Sequence, residues 1–183
     1  EASPVGVSEA ATVVSYFQGD QEDWVTDIPT YERLEYREVW PGIDLRYRTT
    51  PGALKYEFLV APGADPTAIR MAYQGPTGLE RTESGGLRVA TAGGDVLDRA
   101  PVAWQPGGDA VRVSYDIDGT SYGFDLGSYD PSRPLVIDPA IVYSGFIDQN
   151  GDAMWLKLAP RRVLFYVNGQ AEQYWLHMDL ELR

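Results

Sequence analysis

His177 is the only histidine and the chain has no cysteine, so few side chains are available for base, nucleophile or soft-metal chemistry. A Ser-His-Asp triad would have to use His177, yet no G-x-S-x-G turn exists to present its serine, and no second histidine or thiolate is available for zinc. His177 alternates with Leu176 and Met178 on the less buried side of a predicted strand and reads as a structural or surface residue. Asp148, Asn150 and Asp152 have the D-x-N-x-D spacing that converges alternate oxygens on Ca²⁺. An EF-hand loop would need Gly where Ala153 stands and a bidentate Glu where Ala159 stands. An ordinary polar turn is therefore the simpler reading, and Ca²⁺ is the one cofactor the sequence nominates. Carboxylates are abundant, but spacing singles out no pair, so no catalytic residue is assigned. Trp24, Trp40, Trp104, Trp155 and Trp175 have ring faces suited to sugars, and the same rings fill β cores and line interfaces. Gly85-Gly86 and Gly93-Gly94 precede no helix and read as turns rather than phosphate loops.

Composition narrows the partners. The net charge is −12, with 27 acidic against 15 basic residues, the wrong sign for nucleic acid or an anionic membrane surface. No apolar run approaches the roughly 20 residues that span a bilayer, so no membrane insertion is expected. A 44% hydrophobic and 12% aromatic content is that of a folded chain. Lys55 and Lys157 are the only lysines, and the absence of Cys rules out disulfides. The chain begins at Glu1 without Met or a signal peptide, as expected of a mature or excised piece.

The elements that must position these residues are strands. Ile43, Leu45 and Tyr47 alternate with Asp44, Arg46 and Arg48; after Pro51-Gly52, Leu54, Tyr56, Phe58 and Val60 alternate with Lys55 and Glu57, which predicts a hairpin. Ile69 to Tyr73, Leu87 to Thr91 and Val96 to Arg99 predict a meander. Val111, Val113, Tyr115 and Ile117 form one apolar face, Asp118-Gly119 turns the chain, and Tyr122, Phe124 and Leu126 return beside it. Asp65-Pro66-Thr67-Ala68-Ile69 permits one helical turn, with Asp as cap and Pro at the first position. Tyr174, Leu176, Met178, Leu180 and Leu182 share one face of a final strand that must lie on a core or an interface. The expectation is a single all-β domain over residues 1–183: an antiparallel, jelly-roll-like β-sandwich with little or no helix. Residues 1–14 read as an N-terminal arm or linker, and residues 146–183 as closing or donated strands.

Several strings carry a resemblance. They are Ser15-Tyr16-Phe17-Gln18-Gly19-Asp20, Trp24 through Tyr31, Val39-Trp40-Pro41-Gly42-Ile43-Asp44-Leu45, Val60 through Pro66, Thr91-Ala92-Gly93-Gly94 and Arg133-Pro134-Leu135-Val136-Ile137-Asp138-Pro139. In order and spacing, residues 15 to 143 resemble the uncharacterised β-rich domain that precedes seven-bladed-propeller (SBBP) repeats in large secreted bacterial proteins. The resemblance implies an exported protein and a sandwich-like fold, and it brings no catalytic or ligand residues. The tail departs from the family pattern. Residues 146–183 look like the family's own opening strands, so the domain is expected to be circularly permuted or to exchange these strands between copies.

Two functions follow as expectations. The first is a non-catalytic extracellular structural or assembly domain, such as a filament or cell-surface subunit, that self-associates by β-strand donation through the Tyr174 to Leu182 face. The second is a carbohydrate-binding or adhesion module of a secreted protein, with glycans as partner.

Overall fold

The computed structural model describes residues 4–50, 53–74, 76–91, 94–142, 154–159, 162–167 and 177–180. The chain is all-β, and its strands form two antiparallel sheets. In chain order they are β1 (Pro4–Tyr16), β2 (Val25–Trp40), β3 (Ile43–Thr50), β4 (Ala53–Val60), β5 (Met71–Gln74), β6 (Gly78–Arg81), β7 (Leu87–Thr91), β8 (Gly94–Asp98) and β9 (Val102–Gln105). There follow β10 (Asp109–Val111), β11 (Val113–Asp118), β12 (Ser121–Leu126), β13 (Leu135–Asp138), β14 (Ala140–Val142), β15 (Met154–Ala159), β16 (Arg162–Val167) and β17 (His177–Leu180).

The larger sheet runs β1-β2-β3-β4-β14-β8-β7-β6 and forks at β4. One end of β4 pairs with β13, Leu135 opposite Val60, and β13 leads on to β9 and β10. The other end pairs with β14, Ala140 opposite Lys55, and β14 leads on to β8. Pro139, which has no N–H for a ladder, sits between the two branches. The smaller sheet has the order β11-β12-β5-β17-β16-β15.

The period-two pattern sends Ile43, Leu45, Tyr47, Tyr56, Phe58 and Val60 inward, where all six are buried. They meet Met71, Tyr73, Tyr115, Tyr122 and Phe124 of the smaller sheet in one core cluster. The rings of Phe58 and Phe124 touch across the gap, with centroids 5.4 Å apart. Burying a side chain of this size contributes about 1.5–3 kcal/mol, so a shared face of this kind holds the sheets together.

The expected β3–β4 hairpin forms in full register, from Ile43 opposite Val60 to Thr50 opposite Ala53. The expected helical turn is a 3-10 turn at Pro66–Ala68, with the Asp65 carboxylate accepting the Thr67 N–H at 3.0 Å, and a second short 3-10 turn lies at Gln21–Asp23. Three expectations need correction. Residues 4–14 are not an arm: they belong to β1, which pairs with β2 along most of its length. The meander holds for β6, β7 and β8 only; the Pro66–Ala68 turn carries the chain across the core, and β5 joins the smaller sheet between β12 and β17. Val111 and Val113 lie on different strands in different sheets, because the chain changes sheet at Arg112. Both sheets face the same core, so the alternation continues unbroken across the crossing.

Candidate functional site

The most concentrated polar chemistry in the core is a tyrosine cluster around one carboxylate. Asp98 is 2% exposed, on the inward face of β8 opposite Leu87. The Tyr56 hydroxyl donates to Asp98 Oδ2 at 2.5 Å and lies 2.9 Å from the Tyr122 hydroxyl. Tyr115 donates to the Arg99 carbonyl at 3.1 Å, and its ring packs edge-on to Tyr122 with centroids 5.5 Å apart. Burial, and after it the negative charge of Asp98, pushes the Tyr56, Tyr115 and Tyr122 hydroxyls well above the ordinary tyrosine value. Tyr47 is raised too, by burial first and then by Tyr36 and Asp98. A catalytic tyrosinate needs the opposite shift, so these phenols serve as neutral hydrogen-bonding groups that fix how the sheets meet. The sequence signal for this site is one polar residue in an apolar phase: Asp98 follows Val96 on the inward side.

A second constellation lies on the outer face of the larger sheet. Arg46 bonds Glu35 at 3.0 Å and approaches Glu57 at 3.6 Å; Arg48 bonds Glu57 at 2.8 Å and approaches Asp138 at 4.0 Å; Lys55 bonds Asp138 at 2.7 Å. Glu35, Arg46 and Glu57 alternate in sign directly across β2, β3 and β4, while Arg48 and Lys55, which face each other across β3 and β4, both reach the carboxylate of Asp138 on β13. Glu57 and Asp138 are 7% and 6% exposed, which makes this a compensated, half-dry network of a kind that holds strands in register.

Some of the strings that carry the family resemblance form corners. Gly42, with φ of +71°, closes the β2–β3 turn. Its N–H donates to Glu38 Oε2 at 3.2 Å, and the Glu38 N–H donates to Asp44 Oδ1 at 2.8 Å. The Gly42 carbonyl accepts the Ala61 N–H at 2.8 Å, and the Gly63 N–H donates to the Pro131 carbonyl at 2.8 Å. Gln105, buried, completes the set: its amide nitrogen donates to the Asp130 carbonyl at 2.8 Å and its oxygen accepts the Asp130 N–H at 2.9 Å. The Pro-Gly-Ile-Asp, Ala-Pro-Gly-Ala and Asp-Pro-Ser-Arg-Pro segments thus form one linked end of the sandwich.

Among the sequence-predicted site residues, His177, Met178 and Leu180 lie on β17, paired opposite Gln74, Tyr73 and Met71 of β5. Tyr174, Leu176, Leu182 and the Asp148, Asn150, Asp152 loop lie outside the described residues. Among the described residues no three His, Asp or Glu side chains are grouped to hold a metal ion, and no helix is long and apolar enough to cross a membrane. Of the tryptophans, Trp40 is buried, Trp104 half-buried and Trp24 41% exposed. Trp24 packs perpendicular to Phe17, with ring centroids 5.0 Å apart, at the end of the β1–β2 hairpin. An edge-on pair of this kind projects as a knob that leaves part of each ring open to solvent.

No curated protein and no solved structure matches the chain. A family model described as a domain of unknown function (DUF7948) matches residues 1–140, on which the buried tyrosine cluster, the ion ladder and the linked corners all lie, and the chain belongs to that family.

Proposed function

We propose that this chain is a non-catalytic extracellular assembly domain, of the kind that precedes SBBP repeats, whose smaller sheet is completed by its C-terminal strands. The observation that carries the reading is the register of β17 on β5, with Met178 opposite Tyr73 and Leu180 opposite Met71. Met71 and Tyr73 are buried core residues, and without β17 the backbone N–H and C=O groups on that edge of β5 would have no strand to pair with. The strand that fills it arrives from the far end of the chain, and β15 and β16 follow it outward in the sheet. A segment that reaches its own β5 has the geometry to reach a neighbour's, and donor and acceptor surfaces that differ generate head-to-tail chains.

Light scattering with negative-stain microscopy on the full chain, across a wide concentration range, tests this. Oligomers or fibres that dissociate when Met178→Asp and Leu180→Asp are introduced are the expected result. A compact monomer at every concentration would remove the exchange and leave the strands closing their own sheet. A carbohydrate-binding or adhesive module is the second reading and draws on the exposed aromatic rings of the β1–β2 hairpin. Glycan-array binding lost on Trp24→Ala would favour it.

A further inference from the structure

The β1–β2 hairpin projects past the rest of its sheet. Pairing of β2 with β3 covers Arg33 to Trp40, so residues 25–32 are paired with β1 alone. Seven of the eight exposed large hydrophobic residues among those described lie on this hairpin, including Tyr16, Phe17, Trp24 and Tyr31; the eighth is Val102. Phe17 is 65% exposed. Exposed apolar surface gathered on one projecting element marks a contact site rather than ordinary surface scatter.

Charge says what fits there. Residues 1–32 contain no Lys, Arg or His. Glu9, Asp20, Glu22, Asp23, Asp27 and Glu32 all lie on the hairpin, and none of them takes part in an ion pair among the described residues. Asp20, Glu22 and Asp23 lie in the segment that joins Phe17 to Trp24, Glu22 and Asp23 in the short 3-10 turn at Gln21–Asp23 and Asp20 at its N-terminal cap position. Elsewhere on the described surface bases are interspersed with the acids and several pairs form, as in Arg70 with Asp116 and Arg133 with Asp109. A second copy brings the same unmatched negative charge to the same element, and anionic lipid or nucleic acid also has the wrong sign.

We propose that the β1–β2 hairpin is a docking surface for a cationic polypeptide segment, whose Lys or Arg side chains meet Asp20, Glu22 and Asp23 while its apolar or guanidinium groups pack on Phe17 and Trp24. This is independent of strand completion at β5, which involves the other sheet.

The test uses the full chain and fluorescence anisotropy with two labelled peptides, a Lys-Val repeat and its Glu-Val counterpart. Saturable binding of the cationic peptide alone is expected. Asp20→Asn, Glu22→Gln and Asp23→Asn together should weaken it by about tenfold, and Phe17→Ser with Trp24→Ser, at unchanged charge, by a similar factor. A control that removes the same charge elsewhere, Glu83→Gln, Asp118→Asn and Asp125→Asn, should leave affinity unchanged. Absence of saturable binding overturns the proposal, as does equal loss in the control or indifference to the Phe17 and Trp24 changes, which would mean a diffuse ion atmosphere. Partition of the hairpin onto zwitterionic vesicles, or self-association lost on Phe17→Ser with Trp24→Ser, also overturns it. All substituted side chains are exposed or half-exposed, and unchanged melting of each variant checks that the sandwich is intact.

Discussion

Tyr56 connects the two sheets through one oxygen. Its hydroxyl donates to Asp98 on its own sheet and meets the Tyr122 hydroxyl of the other, all three residues being buried. Removing that oxygen takes a partner from a buried carboxylate and another from a buried phenol, and leaving such groups short of partners costs about 1–3 kcal/mol. Tyr56→Phe should therefore lower the free energy of unfolding in denaturant titration by that amount. Tyr16→Phe, at an exposed ring, should leave it within about 0.5 kcal/mol, and equal effects at the two sites would mean the buried oxygen contributes nothing special.

Among the elements, the β2–β3 turn shows why short strings in this sequence are so specific. A Cβ on Gly42 would stand 2.8 Å from the Ala64 Cβ, and the residue's φ of +71° is costly for any L side chain. Gly42→Ala should destabilise the chain by about 1–3 kcal/mol in thermal or denaturant unfolding, and a neutral outcome would mean the Gly42–Ala61–Ala64 corner is loose. The β3–β4 hairpin was legible because each residue's face is decided locally by alternation. Other features were not. β1 carries Ala, Ser and Thr with its valines, and its pairing shifts register between Glu9 and Val13 and again before Tyr16, so no clean period of two survives. Ser8, Asp27 and Glu38 all have positive φ, a backbone irregularity without a glycine to announce it. Glu57 sits at an outward position yet is buried, because Arg46 and Arg48 close over it; that follows from strand pairing, which the local pattern does not encode. The partners of Asp98 are likewise set by pairing: the residue stands out in sequence, but Tyr56 and Tyr122 are distant in the chain.

For the molecule as a whole, the tyrosine-rich core sets an upper pH limit. The fold holds Tyr56, Tyr115 and Tyr122 protonated beyond the value of 10.0 at which an unfolded tyrosine ionises. A proton held more tightly by the folded state means that stability is fully present below the unfolded value and is lost as pH rises beyond it toward the folded values. Phenolate absorbance of the buried rings should then appear in one steep step above pH 10.0, together with loss of the circular-dichroism signal. Gradual ionisation of every tyrosine ahead of any unfolding would contradict it. The fork at β4 has a different consequence, one that concerns order of synthesis. β3 and β4 can pair as soon as both have been made, but the second edge of β4 waits for Leu135 to Val142. Until then Tyr56 and Phe58 have no sheet closed around them. Closure of this kind is non-local and belongs to the regime of milliseconds to seconds, on the order of a thousandfold or more slower than hairpin formation. A nascent chain of this protein therefore carries an open, aromatic strand edge from the completion of β4 at Val60 until Leu135 to Val142 have been made, and β4 is a site for chaperone contact during that interval.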